Sequence, residues 1–233
     1  MRPRPRLRAG ATALLAVALL AGCASSSTTP DPTASLAFHG VEPDPVPARP
    51  SFTLTTTEGK RFDFLAETKG RPTLMYFGYT NCPDECITAM ADVAAALRRA
   101  PAELKGDIRV VFVTTDPKRD TAPKLRTWLD QFSTEFIALR GTDDEVKAAQ
   151  TAAGVRPAEE EGPIPTLPGK PNEHPHKDGT APHSHSGPLG YSVGHTNVIF
   201  AYDATDRLPV VYPGGVTPAD IAADLPLLAR TGK

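Results

Sequence analysis

A mixed β-sheet flanked by helices, an α/β fold, is what the sequence predicts, and three features predict it. Strand-like and helix-like segments alternate from about residue 51 to about residue 231. The run from Thr73 to Gly78, bounded by Pro72, has the continuous apolar pattern of a central strand buried on both faces. Two cysteines, Cys82 and Cys86, follow that run directly, where it gives way to a helical pattern.

Taken in order, Phe52 to Thr55 and Arg61 to Phe64, joined through Glu58-Gly59-Lys60, predict a short N-terminal β-hairpin. After the central strand, Ile87, Met90, Val93, Ala94 and Leu97 fall on one face of a helix. Ile108 to Thr114, rich in β-branched residues, predicts a second buried strand, and Leu125, Trp128, Leu129 and Phe132 mark a second amphipathic helix. A short strand at Phe136 to Leu139 leads into Thr142-Asp143-Asp144-Glu145, a capping box that opens a third helix. Thr196 to Tyr202 and Leu208 to Tyr212 pair across a turn at Asp203 to Asp206. Thr217-Pro218, a cap followed by proline at the first helical position, starts the last helix. Strand–helix–strand–helix closed by a hairpin and a helix is the thioredoxin arrangement.

Between Arg156 and Gly190 the pattern lapses. Eight prolines and His174, His176, His183 and His185 fall there, with almost no apolar residues. A loop that long inside a compact domain is functional or disordered, so a flexible His- and Pro-rich insert is expected. A solvated low-complexity loop is the first reading. Auxiliary capture of copper or zinc by its paired x-His-x-His spacing is the second.

The N-terminus reads as a targeting segment. Arg2, Arg4, Arg6 and Arg8 precede an apolar run from Ala9 to Ala21, too short for the roughly 20 residues of a membrane crossing. Leu20-Ala21-Gly22-Cys23 is similar to a bacterial lipobox, which implies cleavage before Cys23 and a lipid on its sulfur. Residues 1–22 are thus expected as a lipoprotein signal peptide. Residues 23–50, rich in Ser, Thr and Pro, are expected as a lipidated tether, and residues 51–233 as the folded domain. That places the protein at the cell membrane, lipid-anchored on the extracytoplasmic face. Without the leader the chain has 21 basic side chains against 27 acidic ones, and no basic cluster, so nothing supports nucleic-acid binding.

With Cys23 assigned to the anchor, Cys82 and Cys86 are the only thiols of the domain. In an exported protein such a pair forms a structural disulfide, does redox chemistry, or binds metal. A disulfide closing so short a loop stabilises little. At a helix N-terminus the thiolate is favoured, and residues four apart share a helix face, so both sulfurs can reach one soft ion such as Cu(I). The same spacing still allows reversible oxidation, since helical Cα atoms that far apart suit a disulfide. Two thiolates cannot complete a site. His195, in the loop leading into a strand expected beside the central one, is the candidate third ligand.

Three spaced blocks carry a family resemblance. Tyr76 to Cys86, Thr114 to Thr121 with its Asp-Pro-Lys-Arg-Asp-Thr core, and Tyr191 to Thr196 together resemble the Sco/SenC family of copper proteins. The resemblance implies a thioredoxin-like fold and copper, as Cu(I) or Cu(II), on Cys82, Cys86 and His195. It implies as partners a copper donor protein and the copper-bearing subunit of cytochrome c oxidase, whose binuclear centre the family helps build. Ile87 stands where the family has proline after the second Cys, and Gly194 where an Asp is common before the His. Asp120 is expected to cap the following helix, and Arg119 to pair with a carboxylate. A thiol–disulfide reductase that keeps the oxidase cysteines reduced is the rival reading, although such reductases usually space the pair by two residues. A copper- or redox-responsive binding module is another.

Overall fold

The computed structural model describes residues 37–163 and 191–230. The leader, Cys23 and the insert histidines His174, His176, His183 and His185 lie outside the described residues. Strands β1 (Thr53–Thr56) and β2 (Arg61–Asp63) form the expected antiparallel hairpin, turning at Gly59 with φ of +79°. The hairpin stops one residue short of Phe64 because the Asp63 side chain accepts from the Ala66 N–H and caps a short helix, α1 (Phe64–Thr68). Next come β3 (Thr73–Gly78), α2 (Glu85–Arg99), β4 (Arg109–Thr114), α3 (Ala122–Leu129), β5 (Ile137–Arg140) and α4 (Asp143–Ala152). Thr142 and Glu145 form the reciprocal capping box at the start of α4.

Beyond α4 lie β6 (Glu159–Pro163), β7 (Tyr191–Gly194), β8 (Val198–Tyr202), β9 (Val210–Pro213) and α5 (Pro218–Leu228). Seven strands make one sheet in the order β2-β1-β5-β4-β3-β8-β9. The central β3 runs parallel to β4 and antiparallel to β8, so the sheet is mixed.

Both sheet faces are covered, which explains the unbroken apolar run of β3. Leu74 and Tyr76 face a core completed by Met90 and Val93 of α2, Leu125 and Leu129 of α3, and Leu225 and Leu228 of α5. Met75 and Phe77 face the opposite core, with Phe64 of α1 and Val146 and Ala149 of α4. Successive strand residues alternate between the two faces. At β3 both faces are interior.

Four expectations change. Ile87, assigned to the buried face of its helix, is 44% exposed, because the buried stripe of α2 runs through Cys86, Ala89, Met90 and Val93 and Ile87 turns away from it. Phe132 lies beyond the end of α3 but still packs against the core. Asp120 does not cap α3; Thr121 does, accepting from the Lys124 N–H. Glu159–Pro163, inside the stretch expected as loop, is the strand β6, paired antiparallel with β7 in a separate two-stranded sheet.

The segment ahead of Ser51 is also bound to the domain where it is described. Val41 bridges Val211 on edge strand β9, and Ala48 bridges Arg207. Arg49 is buried, and its Nη1 donates to Thr68 and Thr73 Oγ1 while Nη2 donates to the Arg71 and Asp203 carbonyls, each at 2.8 Å. Both Nη groups of the buried guanidinium are thus hydrogen-bonded, and its Nε is paired in charge with Asp206, whose Oδ1 lies 3.0 Å away. The Pro-rich composition hid that anchor.

Candidate metal centre

The end of β3 delivers the thiols. Gly78 is the last residue of the strand and leaves no room for a side chain, since a Cβ there would come within 2.7 Å of Tyr76 Cε1 and 2.9 Å of Cys86 Sγ. The chain then turns through Tyr79 to Asp84, with the Cys82 N–H donating to the Tyr79 carbonyl at 3.2 Å. Asp120 fixes this turn. Fully buried, it accepts from Thr80 N–H at 3.0 Å, Thr80 Oγ1 at 2.5 Å and Thr114 Oγ1 at 2.7 Å. Burial pushes its carboxyl upward, and the hydrogen bonds from Thr80 and Thr114 oppose that.

Cys82 therefore precedes α2 rather than sharing its face with Cys86. Asp84 occupies the N-cap position without a side-chain cap bond. The Cys86 N–H instead points at Cys82 Sγ, 3.3 Å away, so the sulfur serves the helix N-terminus as an acceptor. Both cysteines are free thiols and buried. They are not equivalent. Hydrogen bonding from Cys86, helped by His195, holds the Cys82 thiol well below its usual value against the effect of burial. Burial, followed by the adjacent Cys82, pushes Cys86 up.

His195 arrives from the other side. It follows β7 directly, and its ring packs edge-on against Tyr76 and Tyr79, with centroids 5.9 and 5.6 Å away. Nδ1 lies 3.3 Å from the Thr196 carbonyl, which suits a proton on Nδ1 and a lone pair on Nε2. Nε2 lies 3.4 Å from Cys86 Sγ. The three donor atoms lie within 4.8 Å of one another. Two donors on one ion stand at most about 4.6 Å apart at bond lengths of roughly 2.0–2.3 Å, so the donors need only a small closure to share an ion. Two thiols and a neutral imidazole are a soft donor set. They fit Cu(I) or Zn(II) and disfavour hard cations.

The SCO1/SenC family model matches residues 41–230. This chain belongs to the SCO1/SenC family. Its thioredoxin-like fold agrees with solved Sco structures. Copper-bound ScoI of Bradyrhizobium japonicum aligns with a TM-score of 0.58 at 28% identity, covering 78% of this chain and 99% of that one. Apo Sco1 of Thermus thermophilus, at 24% identity, shares the fold with a TM-score of 0.65 over 84% of this chain and 99% of its own. Among curated relatives, the SCO2-like protein of Rickettsia felis is 39% identical over 99 residues, 41% of this chain and 46% of that one. The chain spans less than half the length of the curated relatives it matches.

The structure brings Cys82, Cys86 and His195 of this SCO1/SenC protein together as expected. Sequence reasoning gave no role to Tyr76, Tyr79 or Tyr191. Tyr76 Oη donates to Asn197 Oδ1 at 2.9 Å and lies 3.8 Å from Cys86 Sγ, so it backs the inner thiol. All three tyrosines lie inside the blocks that carry the resemblance. Their proximity to the cysteines and the histidine was the available signal.

Proposed function

We propose that this protein is a copper chaperone that carries copper on Cys82, Cys86 and His195 and hands it to the binuclear copper centre of cytochrome c oxidase. It would work outside the cytoplasmic membrane, anchored through a lipid on Cys23, and receive its cargo from a separate donor protein. The observation that carries the reading is the convergence of two free thiols and an imidazole within 4.8 Å in a member of this family. Membership links the chain to copper handling, and the ScoI relative of 28% identity binds copper in its solved structure.

Transfer by ligand exchange needs a strong grip and an open approach. The thiols supply the grip, since soft thiolates favour Cu(I). Three ligands leave room for an incoming fourth, and His195 is only half-buried, so it faces the side from which a partner's ligand can enter. Copper titration of the chain, with and without Cys82→Ser, tests the reading. The variant is expected to lose the site, and full copper affinity in that variant sinks the proposal.

The inequality of the two thiols supports a second reading, a thiol–disulfide reductase. The Cys82 thiolate would attack a substrate disulfide and release one substrate thiolate, which takes up a proton. Cys86 would then displace the mixed disulfide, leaving Cys82 and Cys86 oxidised and the substrate fully reduced. An external dithiol would restore the pair. Turnover of a disulfide substrate by metal-free protein, unchanged by His195→Ala, would favour this reading over transfer.

A further inference from the structure

The strand that leads to His195 belongs to a different sheet from the strand that leads to the thiols. Strand β7 pairs with β6, and the seven-stranded sheet contains neither. The ladder between β3 and β8 holds the chain that follows His195, since β8 begins three residues later, but on the other side of the ring the β6–β7 arm needs contacts of another kind.

Arg119 sits at that junction. Its side chain is 7% exposed, and its Nε donates to Asp116, which is 2% exposed. Nη1 donates to the Tyr191 carbonyl on β7 at 2.8 Å. The guanidinium carbon lies 3.7 Å from the centroid of the Tyr191 ring and 5.6 Å from that of Tyr79. Tyr191 Oη donates to Asp116 Oδ1 at 2.9 Å, closing the triangle. Tyr79 in turn accepts from the Val193 N–H at 3.4 Å and packs edge-on against His195. A planar cation can stack and donate at once, and its stack on an aromatic face strengthens as it is desolvated.

The next residue is Asp120, which fixes the turn carrying Cys82 through Thr80. One loop between β4 and α3 thus grips both halves of the centre, the thiol turn through Asp120 and the imidazole arm through Arg119.

We propose that Arg119 is the positioning residue for the third ligand: it pins the β6–β7 arm so that His195 stays on Cys82 and Cys86. The inference rests on the copper-site reading above. It predicts that loss of the pin converts a three-ligand site into a two-thiol site while the thiols stay in place.

The test compares the wild-type full chain with Arg119→Met, His195→Ala and the double variant. Arg119→Lys is added because it keeps a charge opposite Asp116 yet can neither fork nor stack. In metal-free protein, NMR should show the His195 ring losing its contacts to Tyr79 in both Arg119 variants, while Tyr76 contacts to the α2 side chains remain. In Cu(I) competition against a chelator, each Arg119 variant should weaken binding by about 10-fold or more, the range for residues that orient a metal ligand. The double variant should bind no more weakly than His195→Ala alone. Retained His195–Tyr79 contacts in Arg119→Lys, or losses that add fully in the double variant, would overturn the assignment. Should His195→Ala leave copper binding unchanged, the three-ligand reading fails, and the metal-free NMR still decides whether Arg119 places the ring.

Discussion

Cys86 stands on a helix whose inner face is packed against the central sheet, and the strand before it is buried along its whole length. His195 stands between β7, outside that sheet, and β8, within it, and its β7 side is joined to the body by Arg119, Tyr191 and Tyr79. The thiol half is therefore set by core packing, which admits no small displacement without cost. The imidazole half is set on one side by the short link to β8 and on the other by a few polar and stacking contacts. For a carrier this division is useful. A fixed pair of sulfurs retains the ion, and a separately attached third ligand can yield to a partner.

The largest effects should come from attacking the packed half. Gly78→Ala places a methyl group against Tyr76 and Cys86. Overpacking of this kind destabilises by about 1–3 kcal/mol. Displacement of the Cys86 sulfur should accompany it, read as a lower denaturant midpoint together with weaker copper binding. A smaller loss is expected from Tyr76→Phe, which removes the phenol that donates to Asn197 and lies beside Cys86. A buried hydrogen bond of this sort contributes about 1 kcal/mol, measurable in the same unfolding curves.

His195→Ala should behave oppositely. The ring is half-buried and its neighbours remain packed, so stability is expected to change by no more than about 0.5 kcal/mol. Copper affinity should nonetheless fall. A stability loss as large as that of Gly78→Ala would break the contrast between the halves, because it would make the imidazole part of the packing.

The same contrast separates what was legible in the sequence from what was not. The apolar run of β3, the Thr142–Glu145 box and the Thr217-Pro218 start of α5 are local signals, and the structure realises each. Convergence of Cys82, Cys86 and His195 was also readable, because the motif blocks and the order of strands imply it. Contacts that depend on distant pairing were not readable. Glu159–Pro163 has no strand-like pattern, and it becomes a strand only because β7 lies beside it. Asp120 looked like a helix cap from its position, but Thr121 takes that role and frees the carboxylate to reach back to Thr80. Arg49 sat in a stretch whose prolines suggested a tether. Its partners, Thr68, Thr73 and Asp203, are scattered along the chain, so no window of sequence displays them.

The smallest expected effect concerns a second segment that the sheet does not hold by a full ladder, the stretch from His39 to Arg49. Its far end is fixed by the buried Arg49, and its near end by His39. There, Nδ1 lies 2.6 Å from Asp224 Oδ1, and the backbone N–H donates to Oδ2 at 2.9 Å. Tyr212 Oη donates to the same buried carboxylate at 3.0 Å. The hydrogen bond that His39 donates to Asp224, then the charge of Asp224, raises the imidazole above its usual 6.5, with Asp220 adding slightly. A group whose folded value is raised stabilises fully below its unfolded value and loses that contribution as pH rises through the folded one. The His39 end should therefore hold best at mildly acidic pH and loosen as pH climbs from about 6.5 through neutrality, while the Arg49 end, whose guanidinium keeps its charge, does not respond. Thermal melts of wild type and His39→Ala across pH 5.5 to 8.5 read this directly. The two melting temperatures should converge as pH rises, and a constant gap would mean that His39 acts through its backbone and ring packing rather than through its charge.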